Sequence, residues 1–573
     1  MRAPAPRTAR AALLALACLA LAPGGLAHAA TIVIVNKDGA GEGFNDPTVV
    51  SPVGGNPGTT RGAQRLNVFQ AAANIWGNIL PSAVTIRVAS QFNPLMCDAS
   101  SAILGAASAI EVVRNFPNAE FPNTWYAVAL ANRMAGADLD GASDDITAQF
   151  NSTLDGGTCI SGDTWYYGLD GNEPVNQVEL LPVVLHELGH GLGFAQFGNI
   201  TTGAEFNGTP DIYQRFLFDR TVGLHWPDMT DAQRAASAVN LWNVGWDGTA
   251  VKTMAPLTLG PRVEVRVTAP AGIAGIKPFG DATFGADPSA GTVSGQVVLA
   301  VDGAAPTSDA CSPLTNAAQM AGKIALVDRG ACPFTTKADA AQAAGAIAVI
   351  IADNVAEAPP AMGGSDPTVT IPVVSISQAD GTAMKAQLGA GVFVTIGPNP
   401  SFLAGADDNG RVLVYTPNPS VSGSSVSHWD PSASPDLLME PFISNSLSNT
   451  VDLTRFAFED EGWFQPRTTG VGGGPAAGAV ALRGAWPNPF TRTTSLNFDL
   501  PRAGHARIVV FDVAGRAVKQ LLSSDLPAGS HAVVWDGTDD AGRVVQPGVY
   551  FYRLEAAGTS AARRMVRVET LGG

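Results

Sequence analysis

Apolar residues recur with a helical period in two parts of the first 200 residues. One stripe predicts an amphipathic helix over residues 64–80. A second helix is predicted to begin near residues 179–182, where Pro182 is tolerated in a first turn, and to end at Gly191 and Gly193. The stripe of the first helix consists of Leu66, Phe69, Ala73, Trp76 and Leu80.

Short runs of apolar residues, rich in β-branched and aromatic types, predict strands between these helices and after them. The middle of the chain alternates strand and helix, which predicts a βαβ-like unit with a break at Gly345. From residue 481 onward only strand and turn patterns occur, with Leu496, Phe498 and Leu500 alternating, and this predicts an all-β sandwich. The predicted strands lie at 31–35, 84–89, 124–131, 323–327, 346–352 and 371–376, with a helix at 335–344. The fold class is therefore α+β, in several domains.

The N-terminus has the pattern of a secretory signal peptide over residues 1–29. Three arginines precede an apolar run at 11–22, and Ala27-His-Ala29 is a small-x-small cleavage site. Cys18 lies inside the apolar run, so a lipoprotein signal is the alternative. The run is too short for a spanning helix, and we expect no transmembrane segment.

The 573 residues carry 34 basic and 50 acidic side chains, a formal charge of −16. Removal of the signal peptide removes three arginines and no acid, so 31 basic and 50 acidic groups remain and the charge becomes −19. Such a surface argues against nucleic acid and anionic membranes as partners.

Four cysteines remain after the signal peptide, an even number that in an exported protein predicts two disulfides. Cys97 and Cys159 fall in one predicted segment, and Cys311 and Cys332 fall in another. We therefore expect the bonds Cys97–Cys159 and Cys311–Cys332.

The run from His186 to Phe194 contains the motif H-E-x-x-H. On a helix, His186 and His190 lie one turn apart on the same face and can hold one metal ion, with Glu187 beside it as a general base. This predicts a catalytic zinc ion, Zn²⁺, which normally takes three protein ligands and a water. The alternative is a buried helix whose histidines only pack.

The third ligand must come from elsewhere in the chain. Gly193 continues the metzincin pattern, but Gln196 stands where that pattern has its third histidine. His225-Trp226 and His428-Trp429 each precede a Met-x-Pro, at Met254 and Met439, with separations of 29 and 11 residues. The shorter separation favours His428. The alternatives are His225, Asp211, Asp219 and Gln196, whereas His505 and His531 are expected at the surface of the last segment.

At these residues the chain resembles the leishmanolysin-like metzincins, which carry H-E-x-x-H-x-x-G, an insertion, a distant histidine and a methionine turn. Ser427-His-Trp429, Leu438-Met439 and residues 453–463 resemble the closing stretch of that family. The resemblance implies that His186, His190 and His428 bind one zinc ion, that Glu187 is the base and that Met439 forms the turn. It implies a secreted zinc endopeptidase that acts on proteins or peptides.

Two further segments resemble known domains. Residues 322–330 (GKIALVDRG), Cys332-Pro-Phe334 and residues 340–348 resemble a protease-associated (PA) domain, inserted between the second and third ligands. Residues 511–516 and 548–552 resemble FlgD-like immunoglobulin domains, related to the C-terminal sorting domains of exported Gram-negative proteins. This implies secretion or cell-surface attachment in such a bacterium, with export or surface machinery as a partner.

These readings divide the chain into six segments. They are a signal peptide (1–29), a first catalytic part (30–261), the PA insertion (262–400), a closing catalytic part (401–465), a linker (466–480) and the immunoglobulin-like domain (481–573). The rival to the enzyme is a catalytically inactive surface-binding protein that uses the PA and immunoglobulin-like domains. The acidic run from Asp138 to Asp145 suggests a calcium (Ca²⁺) loop, with a solvated acidic turn as the alternative.

Overall fold

The computed structural model describes residues 29–443 apart from 158, residues 449–464, and residues 481–567 apart from 487–489, 491–492, 501, 513–514, 528 and 557–558. The chain divides into two compact units, between residues 467 and 468. The predicted signal peptide with Cys18 and the predicted linker fall, except for residue 29, outside the described residues.

The helices of the first unit are α1 (Arg61–Ile79), α2 (Val128–Ala135), α3 (Leu180–Leu192), α4 (Asp231–Ser237), α5 (Thr249–Thr258), α6 (Phe334–Ala343), α7 (Gln378–Gln387) and α8 (Thr454–Glu461). Its strands before residue 260 are β1 (Ile32–Asn36), β2 (Ile86–Asn93), β3 (Gly105–Ala109), β4 (Val112–Val113), β5 (Tyr126–Ala127), β6 (Ile146–Asn151), β7 (Thr164–Tyr166), β8 (Gln177–Glu179), β9 (Leu217–Asp219), β10 (Leu224–His225) and β11 (Val244–Trp246). The later strands are β12 (Pro261–Ala269), β13 (Gly275–Lys277), β14 (Phe279–Asp281), β15 (Val293–Leu299), β16 (Ile324–Asp328), β17 (Ala348–Ala352), β18 (Val373–Ile376), β19 (Phe393–Leu403) and β20 (Val412–Leu413).

A four-stranded sheet in the order β1-β2-β6-β3 carries the first part of the chain. Strands β1, β2 and β6 are parallel, and the edge strand β3 runs antiparallel to β6. Helix α1 starts where the Thr60 side chain accepts the Ala63 N–H, and it buries Phe69 and Trp76. The predicted helix at 64–80 and the predicted strands at 31–35 and 84–89 are therefore present, with shifted ends.

The predicted strand at 124–131 is wrong. Only Tyr126–Ala127 is extended, and helix α2 begins at Val128. Residues 126–131 are all apolar and all buried, so the sequence there shows an unbroken apolar run without the alternation of a half-exposed strand. Such a run does not distinguish a buried strand from a buried helix.

An eight-stranded mixed sheet, β13-β12-β19-β15-β16-β17-β18-β14, is built from residues 261–403. The predicted βαβ-like unit is confirmed: β16 and β17 are parallel and α6 connects them. The two ends of this segment are neighbours, because Pro261 pairs with Leu403 and the Ala404 N–H donates to the Gly260 carbonyl over 2.9 Å.

The chain after this sheet returns to the first part of the fold. Strand β20 pairs with β11 in the sheet β10-β9-β11-β20, and α8 packs against α5. The chain segments that precede and follow the eight-stranded sheet in sequence therefore pack together into one body.

The second unit is all β, as predicted, with sheets β21-β22-β25 and β24-β23-β26-β27. Leu496, Phe498 and Leu500 all point into its core, which confirms the alternation read from the sequence. Its strands are β21 (Ala481–Trp486), β22 (Thr494–Leu500), β23 (Gly504–Asp512), β24 (Ala517–Leu526), β25 (Gly529–Trp535), β26 (Gly548–Ala556) and β27 (Thr559–Arg567).

Both expected disulfides are present, Cys97–Cys159 and Cys311–Cys332, with Cα–Cα distances of 5.5 and 5.7 Å. Among the described helices, none combines the length and the apolar character needed to cross a membrane.

Candidate metal centre

Helix α3 carries the H-E-x-x-H motif in the interior of the first unit. Nearly all of its residues are buried, and it ends at Gly193, whose φ of +132° is accessible to glycine but strained for other residues. The Trp76 indole N–H donates to the Leu185 carbonyl over 3.0 Å, which fixes α1 against α3. The helix begins and ends where the sequence pattern predicts.

Three histidine side chains meet at this helix. The Nε2 atoms of His186 and His190 are 3.1 Å apart, and each lies 3.2 Å from Nε2 of His428. Within the described part of the chain, these three residues form the one group of three or more His, Cys, Asp or Glu side chains able to share a metal ion. The fold thus brings together residues that are 238 positions apart in sequence.

Backbone carbonyls determine which ring nitrogens carry protons. Nδ1 of His186 donates to the Leu438 carbonyl over 2.7 Å, and Nδ1 of His190 donates to the Phe194 carbonyl over 2.8 Å. Nδ1 of His428 donates to the Ser424 carbonyl over 2.7 Å. Because a carbonyl can only accept, each neutral ring carries its proton on Nδ1 and presents a lone pair at Nε2.

Three lone pairs that face one another at 3.1–3.2 Å repel each other unless a cation lies between them. Two nitrogens bound tetrahedrally to zinc at about 2.0–2.1 Å lie about 3.3 Å apart, close to the spacing seen here. The donor set therefore fits a zinc ion with three imidazole ligands.

Burial also keeps the three rings neutral. It lowers the pKa of His186 to about 3 and that of His190 to about 4, and it lowers the pKa of His428 well below its usual value. For His186 and His428, neighbouring imidazoles lower the pKa further. Neutral imidazole is the form that binds a metal ion.

Glu187 is buried next to His186, and its side chain extends toward the edge strand β3. Burial raises the pKa of Glu187 to about 8, while a hydrogen bond from the Ala107 backbone N–H acts in the opposite direction. A Cβ atom on Gly105 would lie 2.9 Å from the Glu187 side chain, so the strand and the carboxyl group are in close contact. The carboxyl group therefore lies between the histidine cluster and an open strand edge.

Met439 packs under α3 at Gly189, between the two histidines of the motif. A Cβ atom on Gly189 would lie 2.7 Å from Met439 Sδ, so only glycine leaves room for the methionine. The Met439 carbonyl accepts the Trp429 N–H over 2.8 Å, next to His428. The turn at Met439 thus contacts both the helix that carries His186 and His190 and the segment that carries His428.

The other candidates for the third ligand make contacts elsewhere. Nε2 of His225 lies 3.0 Å from Asp247 Oδ2, and Gln196 Oε1 accepts from Gln214. Asp211 accepts backbone N–H groups from Phe197 and Gln214, and Asp219 accepts those of Thr221 and Val222. His505 is exposed, as expected.

In the acidic run Asp138–Asp145, the Asn132 side-chain amide donates to both Asp140 and Asp145, and burial together with the charges of Asp140 and Asp138 raises the pKa of Asp145 to about 6. Asp145 accepts from Asn132 and from the Arg87 N–H, and Asp144 forms ion pairs with Lys37 and Arg87. Asp138 accepts backbone N–H groups of its own turn. Asp145 is buried, so the run is more than a solvated turn, and calcium binding there stays a sequence-based prediction.

Sequence reasoning missed the backbone groups of the site. The carbonyls of Leu438, Phe194 and Ser424 and the N–H of Ala107 act through the main chain, which leaves no residue-type signal. Gly189 did carry a signal, because a glycine inside a strongly apolar helix indicates a close contact.

Comparison with protein-family models gives two matches, a PA domain over residues 293–384 and a FlgD Ig-like domain over residues 487–561. Both resemblances read from the sequence are thereby confirmed. The PA match lies between His190 and His428, and neither match includes a residue of the histidine cluster.

Two curated proteins and one solved structure are similar over short stretches. The "Probable lipoprotein aminopeptidase LpqL" of Mycobacterium tuberculosis is 46% identical over 92 residues, 15% of this chain and 18% of that protein. "Signal peptide peptidase-like 2" of Arabidopsis thaliana is 37% identical over 83 residues, 14% and 15% of the two chains. The aminopeptidase from Aneurinibacillus sp. strain AM-1 is 24% identical with a TM-score of 0.20, over 25% of this chain and 32% of that one.

This chain therefore spans less than a fifth of the length of these two curated relatives. A stretch of that size cannot contain both His186 and His428, which lie 242 positions apart. The comparisons thus show a multidomain chain with a PA domain and a FlgD Ig-like domain, and the chemistry of the histidine cluster rests on its own geometry.

Proposed function

We propose that this protein is a secreted zinc-dependent endopeptidase, in which His186, His190 and His428 bind one zinc ion and Glu187 is the general base. The observation that carries the proposal is the convergence of three Nε2 lone pairs, each oriented by a carbonyl on its own Nδ1. Glu187 follows directly on the same helix. Histidine ligands with a neighbouring free carboxylate are the constellation of zinc-assisted hydrolysis.

Zinc, when bound, supplies a Lewis acid that acidifies a water molecule and polarises a peptide carbonyl. The protein supplies the proton transfer: Glu187 takes the proton of the attacking water and returns it to the leaving amine. Burial raises the pKa of Glu187, whereas the Ala107 N–H favours its charged form, and the charge of a bound cation would favour that form further. The buried position of Glu187 keeps bulk water away from this proton.

Strand β3 supports cleavage within a chain. It forms the edge of its sheet, and its Ala107 N–H interacts with the Glu187 carboxylate. An extended peptide can add to such an edge through main-chain hydrogen bonds, which hold residues on both sides of the scissile bond. This mode of binding needs no free terminus in the substrate.

The finer assignment is to the leishmanolysin-like metzincins, with Met439 as the methionine turn. It is supported by the packing of Met439 against Gly189 and by the position of the PA match between the second and third ligands. Protein or peptide substrates follow from the same assignment.

We propose release from the cell or attachment to its surface, in a Gram-negative-type bacterium. The two disulfides fit an oxidising compartment. The FlgD Ig-like match is the part of the chain that export or surface machinery would recognise.

The test uses the full chain without its signal peptide. We expect one zinc ion per chain by metal analysis, and cleavage of casein and of a quenched peptide with acetylated and amidated ends. Glu187→Gln should keep the zinc and lose at least about 100-fold in rate, the usual contribution of a general base.

Two outcomes would overturn the proposal. Release of single residues from free N-termini, with no cleavage of the blocked peptide, would make the protein an aminopeptidase. Zinc binding by a folded chain that cleaves none of these substrates would favour the inactive surface-binding protein.

A further inference from the structure

A buried lysine contacts one sulfur of the disulfide in the PA domain. Lys337 lies in the first turns of α6 and is fully buried. Its ammonium donates to the Asp309 carbonyl over 2.6 Å and to Cys311 Sγ over 3.1 Å. Lysine ammonium groups are almost never fully buried unless paired with a negative charge, and both of these acceptors are neutral.

Three carboxylates attract the Lys337 ammonium over longer distances. Burial lowers the pKa of Lys337, and the carboxylates of Asp309, Asp302 and Asp328 act in the opposite direction. A positive charge is therefore held in the interior, directly against a disulfide.

The two sulfurs of this disulfide differ in their surroundings. Cys311 Sγ accepts from Lys337 and also from the Cys332 backbone N–H, over 3.2 Å. Both cysteines are partly exposed, and Cys332 lies between the exposed residues Ala331 and Pro333. A negative charge on Cys311 would be stabilised by an ammonium and an N–H, and the same charge on Cys332 would have neither of these donors.

This difference sets the direction of thiol–disulfide exchange. The thiolate with the lower pKa is the better leaving group, and an adjacent ammonium lowers a thiol pKa. Attack is therefore favoured at Cys332, with departure of Cys311.

We propose that Cys311–Cys332 is an exchange-active disulfide, a modification site for dithiol reductants at which Cys332 is attacked and Cys311 leaves as a thiolate against Lys337. A thiolate of the dithiol bonds to Cys332 Sγ while the Cys332–Cys311 bond breaks and its electron pair stays on Cys311. The second thiol of the reductant then attacks the mixed disulfide, which releases the Cys332 thiolate. The dithiol leaves as its disulfide, and the two cysteines are reduced.

The other disulfide provides a reference inside the same molecule. Cys97–Cys159 lies in a different part of the fold, and Cys159 is fully buried. One sample therefore reports both rates under the same conditions.

The experiment treats the folded full chain with dithiothreitol at pH 7.5, quenches at intervals with a limiting alkylating reagent, and maps the labelled cysteines by mass spectrometry. We expect Cys311–Cys332 to open at least about threefold faster than Cys97–Cys159, the effect of one pKa unit in the exchanging thiol. In the opened disulfide, Cys311 should be labelled before Cys332, and its labelling should persist to lower pH than that of Cys332, because its thiolate is the more stable of the two.

Lys337→Met should slow this opening at least about threefold, remove the labelling preference and leave the Cys97–Cys159 rate unchanged. Equal opening rates in the wild-type protein, or earlier labelling of Cys332, would overturn the proposal. The wild-type labelling order needs no variant, so the proposal can be rejected even if Lys337→Met fails to fold.

Discussion

Each imidazole of the cluster is oriented by one backbone carbonyl rather than by a carboxylate. The three carbonyls belong to Leu438, Phe194 and Ser424, from three different stretches of chain. Side-chain substitution at these positions leaves the acceptors in place. The orientation of the rings therefore depends on the path of the main chain, and the ligands themselves are the sensitive positions.

His428→Ala should strip the zinc or weaken its binding at least about 100-fold, because it removes one of three lone pairs. His225→Ala is the matched control, since its imidazole pairs with Asp247. Zinc content after dialysis against a weak chelator checks both variants. Loss of zinc from His225→Ala and not from His428→Ala would contradict the site.

Glu461 is a buried carboxyl group without a hydrogen-bond partner among the described residues. Both of its oxygens are unpaired, and the Tyr213 hydroxyl nearby is unpaired as well. Burial raises the pKa of Glu461 well above its usual value, and the charges of Asp211 and Asp460 raise it further. The group holds a proton in the folded chain at a pH where the unfolded chain has released it.

The folded state therefore binds more protons than the unfolded state above pH 4.5, and its stability falls as the pH rises. Glu461→Gln should remove this loss. We expect the variant to be more stable than wild type by about 1–3 kcal/mol at pH 8, at about 1.4 kcal/mol for each unit by which the folded-state pKa is raised, and equal at pH 4. Urea unfolding at the two pH values measures both. A variant less stable at pH 8 would show that the carboxylate is paired.

At the scale of elements, the contact between α3 and the Met439 turn joins the two parts of the site. The turn provides the Leu438 carbonyl for His186, and its methionine packs against Gly189. A shift of this turn would therefore move a ligand as well as the packing beneath it.

Gly189→Ala should destabilise the first unit and weaken zinc binding. Alanine favours a helix by about 1 kcal/mol over glycine, but overpacking a filled core costs about 1–3 kcal/mol. The clash involves only Met439, at 2.7 Å from the new Cβ. Together with Met439→Ala, the substitution should cost less than the sum of the two single changes, by at least about 1 kcal/mol in a double-mutant cycle. Additive effects would show that the two residues do not share this contact.

At the scale of the whole molecule, the eight-stranded sheet is attached at two adjacent points. Pro261 and Leu403 are partners in one antiparallel pair, so the chain leaves the first part of the fold and returns to it at neighbouring positions. The gap left by removing residues 262–403 can thus be closed by a short turn.

A variant with residues 262–403 replaced by a short glycine-rich turn should fold and bind one zinc ion. Its ligands belong to elements outside the deleted segment, and β20 can still pair with β11. Metal analysis and cleavage of the blocked peptide test this. The same deletion with His428→Ala should bind no zinc. An insoluble or zinc-free deletion variant would show that the insertion is needed to close the site.

The sequence predicted the parts of this molecule that leave a residue-type signal. Helices α1 and α3 follow from their apolar period, and the positions of His186, His190, His428 and Met439 follow from the motif and its spacing. Helix α2 could not be predicted in this way, because a run of apolar residues that are all buried shows no helical period. The orientations of the three imidazole rings and the contact of Ala107 with Glu187 could not be predicted either, because main-chain atoms make these interactions.

His428 follows His190 by 238 positions, and this separation delays completion of the ligand set during synthesis. At about 5–20 residues per second, a ribosome needs roughly 12 to 48 s to make this stretch, and during this time the nascent chain has two of its three ligands. The growing polypeptide therefore cannot complete its own metal site until the PA domain has been synthesised. Binding of a metal ion by all three histidines is therefore postponed until 428 of the 573 residues have been made.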